Sequence, residues 1–132
     1  MFLNRLTMEE KKIFLKLAHH VAYIDGEFSP KERAIIDKYC MEMQIDDVEY
    51  DRNSYDLESD LKVFRRDSHK KIVLLEVMAL VYSDDVLHHA EENILHEITK
   101  IFDLNPNLVI VYKEWSKSIL SLFIQGEALI HI

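Results

Sequence analysis

The stretch Val21-Ala22-Tyr23-Ile24-Asp25-Gly26-Glu27-Phe28-Ser29-Pro30-Lys31-Glu32 decides the fold predicted for this chain. It begins as the end of an apolar helix and turns at Asp25 and Gly26. Glycine adopts the left-handed conformation that ends a helix at little cost. Ser29 and Glu32 then form a capping box, with proline at the first helical position, where its missing N–H is not needed. The stretch therefore predicts a helix–turn–helix unit.

Apolar residues at spacings of three and four extend this unit in both directions. The first helix is predicted from about Met8, after a capping box at Thr7, to about Ile24, and the second to about Gln44. Further along, the sequence predicts a polar loop over 46–54 and a short helix over 56–64. The next helix is capped by Asp67 or Ser68 and ends at Asp84, and another begins near His88 and buries Phe102. The last helix runs from Asn105-Pro106 to about Gln125, where Gly126 ends it.

The second half of the chain repeats the pattern of the first. Asp84 follows Asp25 by 59 residues, and Glu91 follows Glu32 by the same number. Each half reads as an apolar helix, an Asp, a turn holding one large apolar residue, a Glu seven positions after the Asp, and an amphipathic helix. One such pair cannot bury its apolar face alone, so we expect the two units to pack together.

The composition agrees with an all-helical protein. The chain has 132 residues, of which 48% are hydrophobic and 30% charged, as in an ordinary globular domain. It contains only two glycines and two prolines, too few for many tight strand reversals. We therefore predict one domain over 1–132: an all-α, compact bundle of about six to seven helices, built from two pseudo-repeated helix–turn–helix units.

The net charge and the cysteine content limit the expected partners and the expected cellular location of the chain. The formal net charge of −8 disfavours nucleic acid, whose phosphates require clustered cations. Cys40 is the single cysteine, which excludes an internal disulfide and suits a reducing compartment. The first residues do not resemble a signal peptide, and no apolar stretch reaches the ~20 residues that cross a bilayer. The expected location is cytoplasmic, with no transmembrane segment.

The string Ala22-x-x-Asp25-Gly26-x-Phe28-x-x-x-Glu32, with its second copy, resembles the TerB-like tellurite-resistance domains, to which the amino-terminal domain of DjlA-type co-chaperones is related. The resemblance spans roughly residues 15–104. It implies a compact helical fold, a role in tellurite or stress response, and acidic residues that bind a divalent metal. By position, these are Asp25, Glu32, Asp84 and Glu91. The second copy departs from the pattern, with Asp85 in place of the glycine.

Two interpretations of these four carboxylates remain open. Calcium and magnesium prefer several oxygen ligands, which two neighbouring turns could supply together. Alternatively, Glu32 is a capping residue stabilised by helix amides, and Asp25 and Asp84 are ordinary turn residues. A zinc site is the weaker metal hypothesis; it would use residues on one helix face, namely His89, Glu92 and His96, with Asp85 one turn earlier.

No complete catalytic set is visible. Cys40 lies on an apolar helix face, where an unreactive thiol is the commoner case, and no glycine-rich phosphate loop occurs. We therefore expect a non-enzymatic binding or scaffold domain with an unidentified protein partner. The alternative is a metal-free interaction module that docks through the acidic segment 46–60, the basic segment 62–71 or the apolar tail 128–132. Leu122 is expected on the buried side of the last helix, and the larger aromatic residues are expected in the core: Phe14, Tyr39, Phe102, Trp115 and Phe123.

Overall fold

A computed structural model describes residues 1–24, 28–82 and 89–132, with only the backbone at 89–91. Over these residues the chain forms helices and no strand, which confirms the predicted all-helical class. The helices are a 3-10 helix over Leu3–Arg5, α1 over Met8–Tyr23, α2 over Pro30–Met43, α3 over Leu57–Leu61, α4 over Asp67–Val81, α5 over His89–Ile101 and α6 over Asn107–Ile130.

The first two helices begin as the sequence predicts. The Thr7 N–H donates to Glu10 Oε1 at 2.8 Å, and the Glu10 N–H donates to Thr7 Oγ1 at 3.2 Å. Ser29 and Glu32 repeat this reciprocal pair at the start of α2, with both distances 3.1 Å. Each box satisfies two amides that the helix itself leaves without a partner.

Helix α4 is the centre of the bundle. It packs against α1, α5, α6 and the 3-10 helix, and nine of its fifteen residues are buried. α1 packs against both α4 and α2, where the Tyr39 ring meets the edge of Phe14 with their centres 5.1 Å apart. The predicted core residues Phe14, Tyr39 and Phe102 are buried, and Trp115 is half-buried. Cys40 is also half-buried, and burial raises the pKa of its thiol.

Several helix ends differ from the prediction. The α4 helix begins at Asp67 itself, so neither Asp67 nor Ser68 caps it; Asp67 instead pairs with Lys71 at 2.7 Å. The α2 helix, by contrast, ends as predicted, with Met43 as its last residue and Gln44 as its C-cap. Gln44 and Asp103, which follows α5, both have left-handed φ angles, of 56° and 54°. Left-handed residues complete a helix end even without glycine when the polar side chain tolerates that conformation.

The prediction was wrong at the end of α6. The helix does not stop at Gly126 but continues to Ile130. Phe123 and Leu122, predicted to be buried, are 65% and 60% exposed. The helix extends beyond the other helices on which it packs, here called the body. Its buried residues, Val109 and Ser116, both lie in its first half. No helix in the described ranges combines the length and the hydropathy needed to span a membrane.

Candidate functional site

Of the four carboxylates predicted to bind a metal, the structure describes one side chain. Asp25 and Asp84 lie outside the described residues. Glu91 lies on α5, in the part where only the backbone is described. Whether the four side chains converge therefore stays a prediction.

Glu32 is buried at the start of α2, with 5% of its surface exposed. Its Oε1 accepts the Ser29 N–H at 3.1 Å, so the carboxylate has a structural function in the capping box. A negative charge here is also favoured by the positive end of the helix dipole. Because glutamine can replace glutamate in a capping box, the structural role can be separated experimentally from a role that needs the charge.

The residues of the zinc hypothesis are only partly described. Asp85 lies outside the described residues, and the side chain of His89 is not described. Glu92 is half-buried and His96 is exposed on α5. Among the side chains that the structure describes, no group of three or more His, Cys, Asp or Glu is placed to hold a metal ion.

An aromatic cluster covers the carboxyl end of α1, next to the first predicted acidic turn. Tyr23 stacks on Phe28 with ring centres 4.7 Å apart, and His20 stacks on Tyr55 at 4.4 Å. Tyr50 lies between them, 5.9 Å from Tyr23 and 5.5 Å from Tyr55. The cluster consists of His19, His20, Tyr23, Phe28, Tyr50 and Tyr55, and it fixes the loop between α2 and α3, which the sequence predicted only as polar and without a period.

The two histidines of the cluster have hydrogen-bond partners in the loop. His19 Nε2 lies 2.7 Å from Asp47 Oδ1, and His20 Nδ1 lies 2.7 Å from Tyr50 Oη. Burial, with the nearby Arg52 cation, lowers the pKa of His20. His20 is therefore a neutral member of the cluster near pH 7.

An open acidic pocket of about 810 Å³ lies beside the aromatic cluster. Burial is the main cause that raises the pKa of the Asp60 carboxyl. Tyr55 Oη is buried and has no hydrogen-bond partner among the described residues. The acidic and basic side chains that line the pocket are the carboxyl groups of Glu49, Asp51, Asp56 and Asp60 and the amine of Lys16.

The distal α6 segment, residues 119–132, carries a run of exposed apolar side chains. Only Ile119, Leu120 and Gly126 within it are partly buried. A shallow groove of about 360 Å³ runs along one side of the segment. The large apolar side chains that are more than half exposed are Leu122, Phe123, Ile124, Leu129, Ile130 and Ile132.

In comparisons with protein-family models, characterised proteins and solved structures, nothing matches this chain. The membership in the TerB-like domains therefore stays a prediction from the residues of the doubled motif.

Proposed function

We propose that this chain is a non-enzymatic protein-interaction module that docks through the distal α6 segment. The observation that carries the proposal is the exposure of Leu122, Phe123 and Ile130 on a helix that continues beyond the body. Contiguous apolar patches on a protein surface mark interaction sites more often than chance, whereas single exposed apolar residues do not.

The energy available at this surface supports the proposal. Complete burial of one large apolar side chain is worth about 1.5–3 kcal/mol. Three such residues, Leu122, Phe123 and Ile130, line the groove together. Together they supply at most about 4.5–9 kcal/mol, which is of the same order as the ~4–15 kcal/mol cost of association, so a stable partner also has to cover further apolar residues of this segment.

The shape of the groove favours a helical partner. Its lining residues Ile119, Leu122, Phe123, Gly126 and Ile130 recur at the spacing of one helix face. Gly126 leaves a gap in this face, because a Cβ placed there would meet no atom within 4 Å. All of these residues lie on α6 itself, so they form the ridges of one helix face, and such ridges pack into the grooves of another helix. We therefore propose an amphipathic helix of another protein as the partner.

The test is affinity capture from the cells in which the protein is made, with three forms of the chain. These are the wild type, a Phe123→Asp, Ile130→Asp variant, and a Met41→Asp control. Met41 is an exposed apolar residue on α2, 78% accessible and far along the chain from α6. Sedimentation velocity on each purified form would show whether the partner is a second copy.

We expect the wild type and the control to capture the same protein in near-equal molar amounts, and the double variant to lose it. Circular dichroism should be the same for all three forms, since each change is on the surface. Identical captured proteins for all three forms would overturn the proposal, because the distal α6 segment would then contribute nothing to binding.

The doubled Asp-x6-Glu turn supports a second proposal, that the chain binds a divalent cation in a TerB-like stress function. Glu32 is a buried carboxylate at the first of these turns. Calcium or magnesium is the proposed ion, because the carried-over residues Asp25, Glu32, Asp84 and Glu91 offer only oxygen ligands. The single Cys40 fits a cytoplasmic setting for either function.

A further inference from the structure

We infer that a basic pocket at the start of α4 binds a phosphomonoester group. The pocket lies between the 3-10 helix, the end of α3 and the first turn of α4, and has a volume of about 730 Å³. Small-molecule and side-chain binding sites commonly have volumes of this order, a few hundred to about 1,000 Å³. Its cationic lining residues are Arg5, Lys62, Arg65 and Arg66.

The charge of this pocket is opposite to that of the chain. Four cations and two carboxylates, Glu9 and Glu10, line it, while the chain as a whole carries −8. The cations come from separate parts of the sequence, since Arg5 lies before α1 whereas Arg65 and Arg66 come directly before α4. All four cations are exposed and outnumber the two carboxylates, so an anion that enters the pocket meets a net positive charge.

The cations remain available for a ligand. Neither Arg65 nor Arg66 has a carboxylate within 4 Å among the described residues, and the Lys62–Glu58 pair is long, at 3.9 Å. The Arg5 guanidinium lies 5.2 Å from the centre of the Phe2 ring. A cation over a ring face keeps its N–H groups free at the edges, where they can still donate to an anion.

The buried carboxylate that lines the pocket already has its own partners. Glu10 Oε1 lies 2.8 Å from His69 Nδ1 and also accepts the Thr7 N–H at 2.8 Å. Both Glu10 and His69 are buried. Glu10 Oε1 is therefore already engaged in two hydrogen bonds before an anion enters.

A phosphomonoester fits this arrangement better than a carboxylate. It carries close to two negative charges at pH 7 and three terminal oxygens that point in different directions. Guanidinium groups donate to such oxygens in pairs, and cations on several walls can each reach a different oxygen. A carboxylate offers two oxygens in one plane, which suits a single arginine.

The experiment is isothermal titration of the full chain at low salt with two phosphomonoesters, a phosphoserine tripeptide and glucose 6-phosphate. Sulfate and free aspartate are titrated as competing anions. The variants are Arg65→Gln, Arg66→Gln together, Arg5→Gln from the opposite wall, and Lys38→Gln as a matched control. Lys38 is an exposed cation on α2 outside the pocket.

We expect saturable binding that weakens about tenfold or more in the double variant and about threefold in Arg5→Gln, with no change in Lys38→Gln. Tighter binding of the phosphopeptide would identify a phosphorylated protein as the source, and tighter binding of the sugar phosphate a free metabolite. The inference is overturned if neither compound saturates by ~10 mM. The inference is also overturned if sulfate binds as tightly as the phosphomonoesters, or if Lys38→Gln weakens binding as much as the double variant does.

Discussion

The contact between Glu10 and His69 joins α1 to α4 inside the protein. The two side chains are 59 positions apart, and both are almost fully buried. A buried carboxylate that loses a partner keeps its cost of leaving water, whereas an exposed pair is largely replaced by water. How much the removal of a polar pair destabilises the fold is therefore decided by the burial of the pair and not by the distance between its two polar atoms.

A change of His69→Ala is expected to lower the free energy of unfolding by about 2–4 kcal/mol, because it leaves a buried carboxylate short of a donor. The matched control is His131→Ala, whose partner Glu127 lies 3.7 Å away on the exposed end of α6. There we expect less than about 0.5 kcal/mol. Urea denaturation measures both values, and equal small losses would contradict the prediction.

Metal binding at the acidic turns is tested by thermal melting of the metal-stripped protein with added calcium, magnesium or zinc. An ion that binds only the folded state at about a hundred times its dissociation constant adds about 2.7 kcal/mol of stability and raises the melting temperature. We expect this rise with calcium or magnesium in the wild type. The rise should disappear in a Glu32→Gln, Glu91→Gln variant, because a neutral amide brings no charge to the ion. The amide introduced at position 32 can still complete the capping box of Ser29, so the start of α2 is retained.

The design separates the two possible roles of Glu32. If the variant has a lower melting temperature without metal, the charge matters to the helix end itself. If no ion raises the melting temperature of the wild type, the metal hypothesis is wrong.

Capping was predictable from the sequence at the residue scale, and the buried polar pair was not. The boxes at Thr7 and Ser29 connect residues three positions apart, so local chemistry determines them. The partner of Glu10 at His69 depends on how α1 and α4 pack, which no local pattern contains. For the same reason the sequence showed Lys62, Arg65 and Arg66 as a basic segment but did not show that Arg5 lines the same pocket.

At the scale of single elements, α6 shows why the end of a helix is hard to predict. Gly126 is a frequent terminator, and the spacing of Trp115, Ile119, Leu122 and Phe123 is that of a buried helix face. Neither feature carries information about the length of the body beside the helix. The body ends before the helix does, so the apolar face continues into solvent and the glycine stays helical.

A change of Gly126→Ala is expected to stabilise the free protein by about 0.5–1 kcal/mol. Glycine inside a helix costs about this much conformational entropy relative to alanine, and the added methyl group would meet no neighbouring atom. Chemical denaturation and helix content from circular dichroism measure the effect.

The same substitution also reports on the proposed partner. If another helix packs closely over Gly126, the added methyl group should weaken its binding while the free chain gains stability. A loss of stability in the free chain would contradict the first expectation, since it would mean that the glycine has a role within the chain.

The whole molecule is organised around α4, which contacts the 3-10 helix and α1 from the first half of the chain and α5 and α6 from the second. Because these contacts share one buried core, we expect the described helices to unfold together. Far-ultraviolet circular dichroism and the fluorescence of Trp115 should give coincident urea transitions. Two separate transitions would instead indicate that α6 unfolds independently of the α1–α4 contact.

The 59-residue shift of the predicted repeat also separates Glu10 from His69, which contact each other between α1 and α4. The superposition of the two halves stays a prediction, because the aspartates of both motif turns lie outside the described residues.

The aromatic cluster at the end of α1 has a consequence for spectroscopy. Rings held at fixed angles and short separations couple their electronic transitions, and Tyr23, Tyr50 and Tyr55 are held in this way. Near-ultraviolet dichroism arises from such fixed surroundings and disappears when packing loosens. The cluster thus contributes to the tyrosine signal together with the buried Tyr39 and Tyr82. Trp115, on α6, absorbs at longer wavelength, so a loss of packing at α6 can be distinguished from a loss of packing around the tyrosines in one sample.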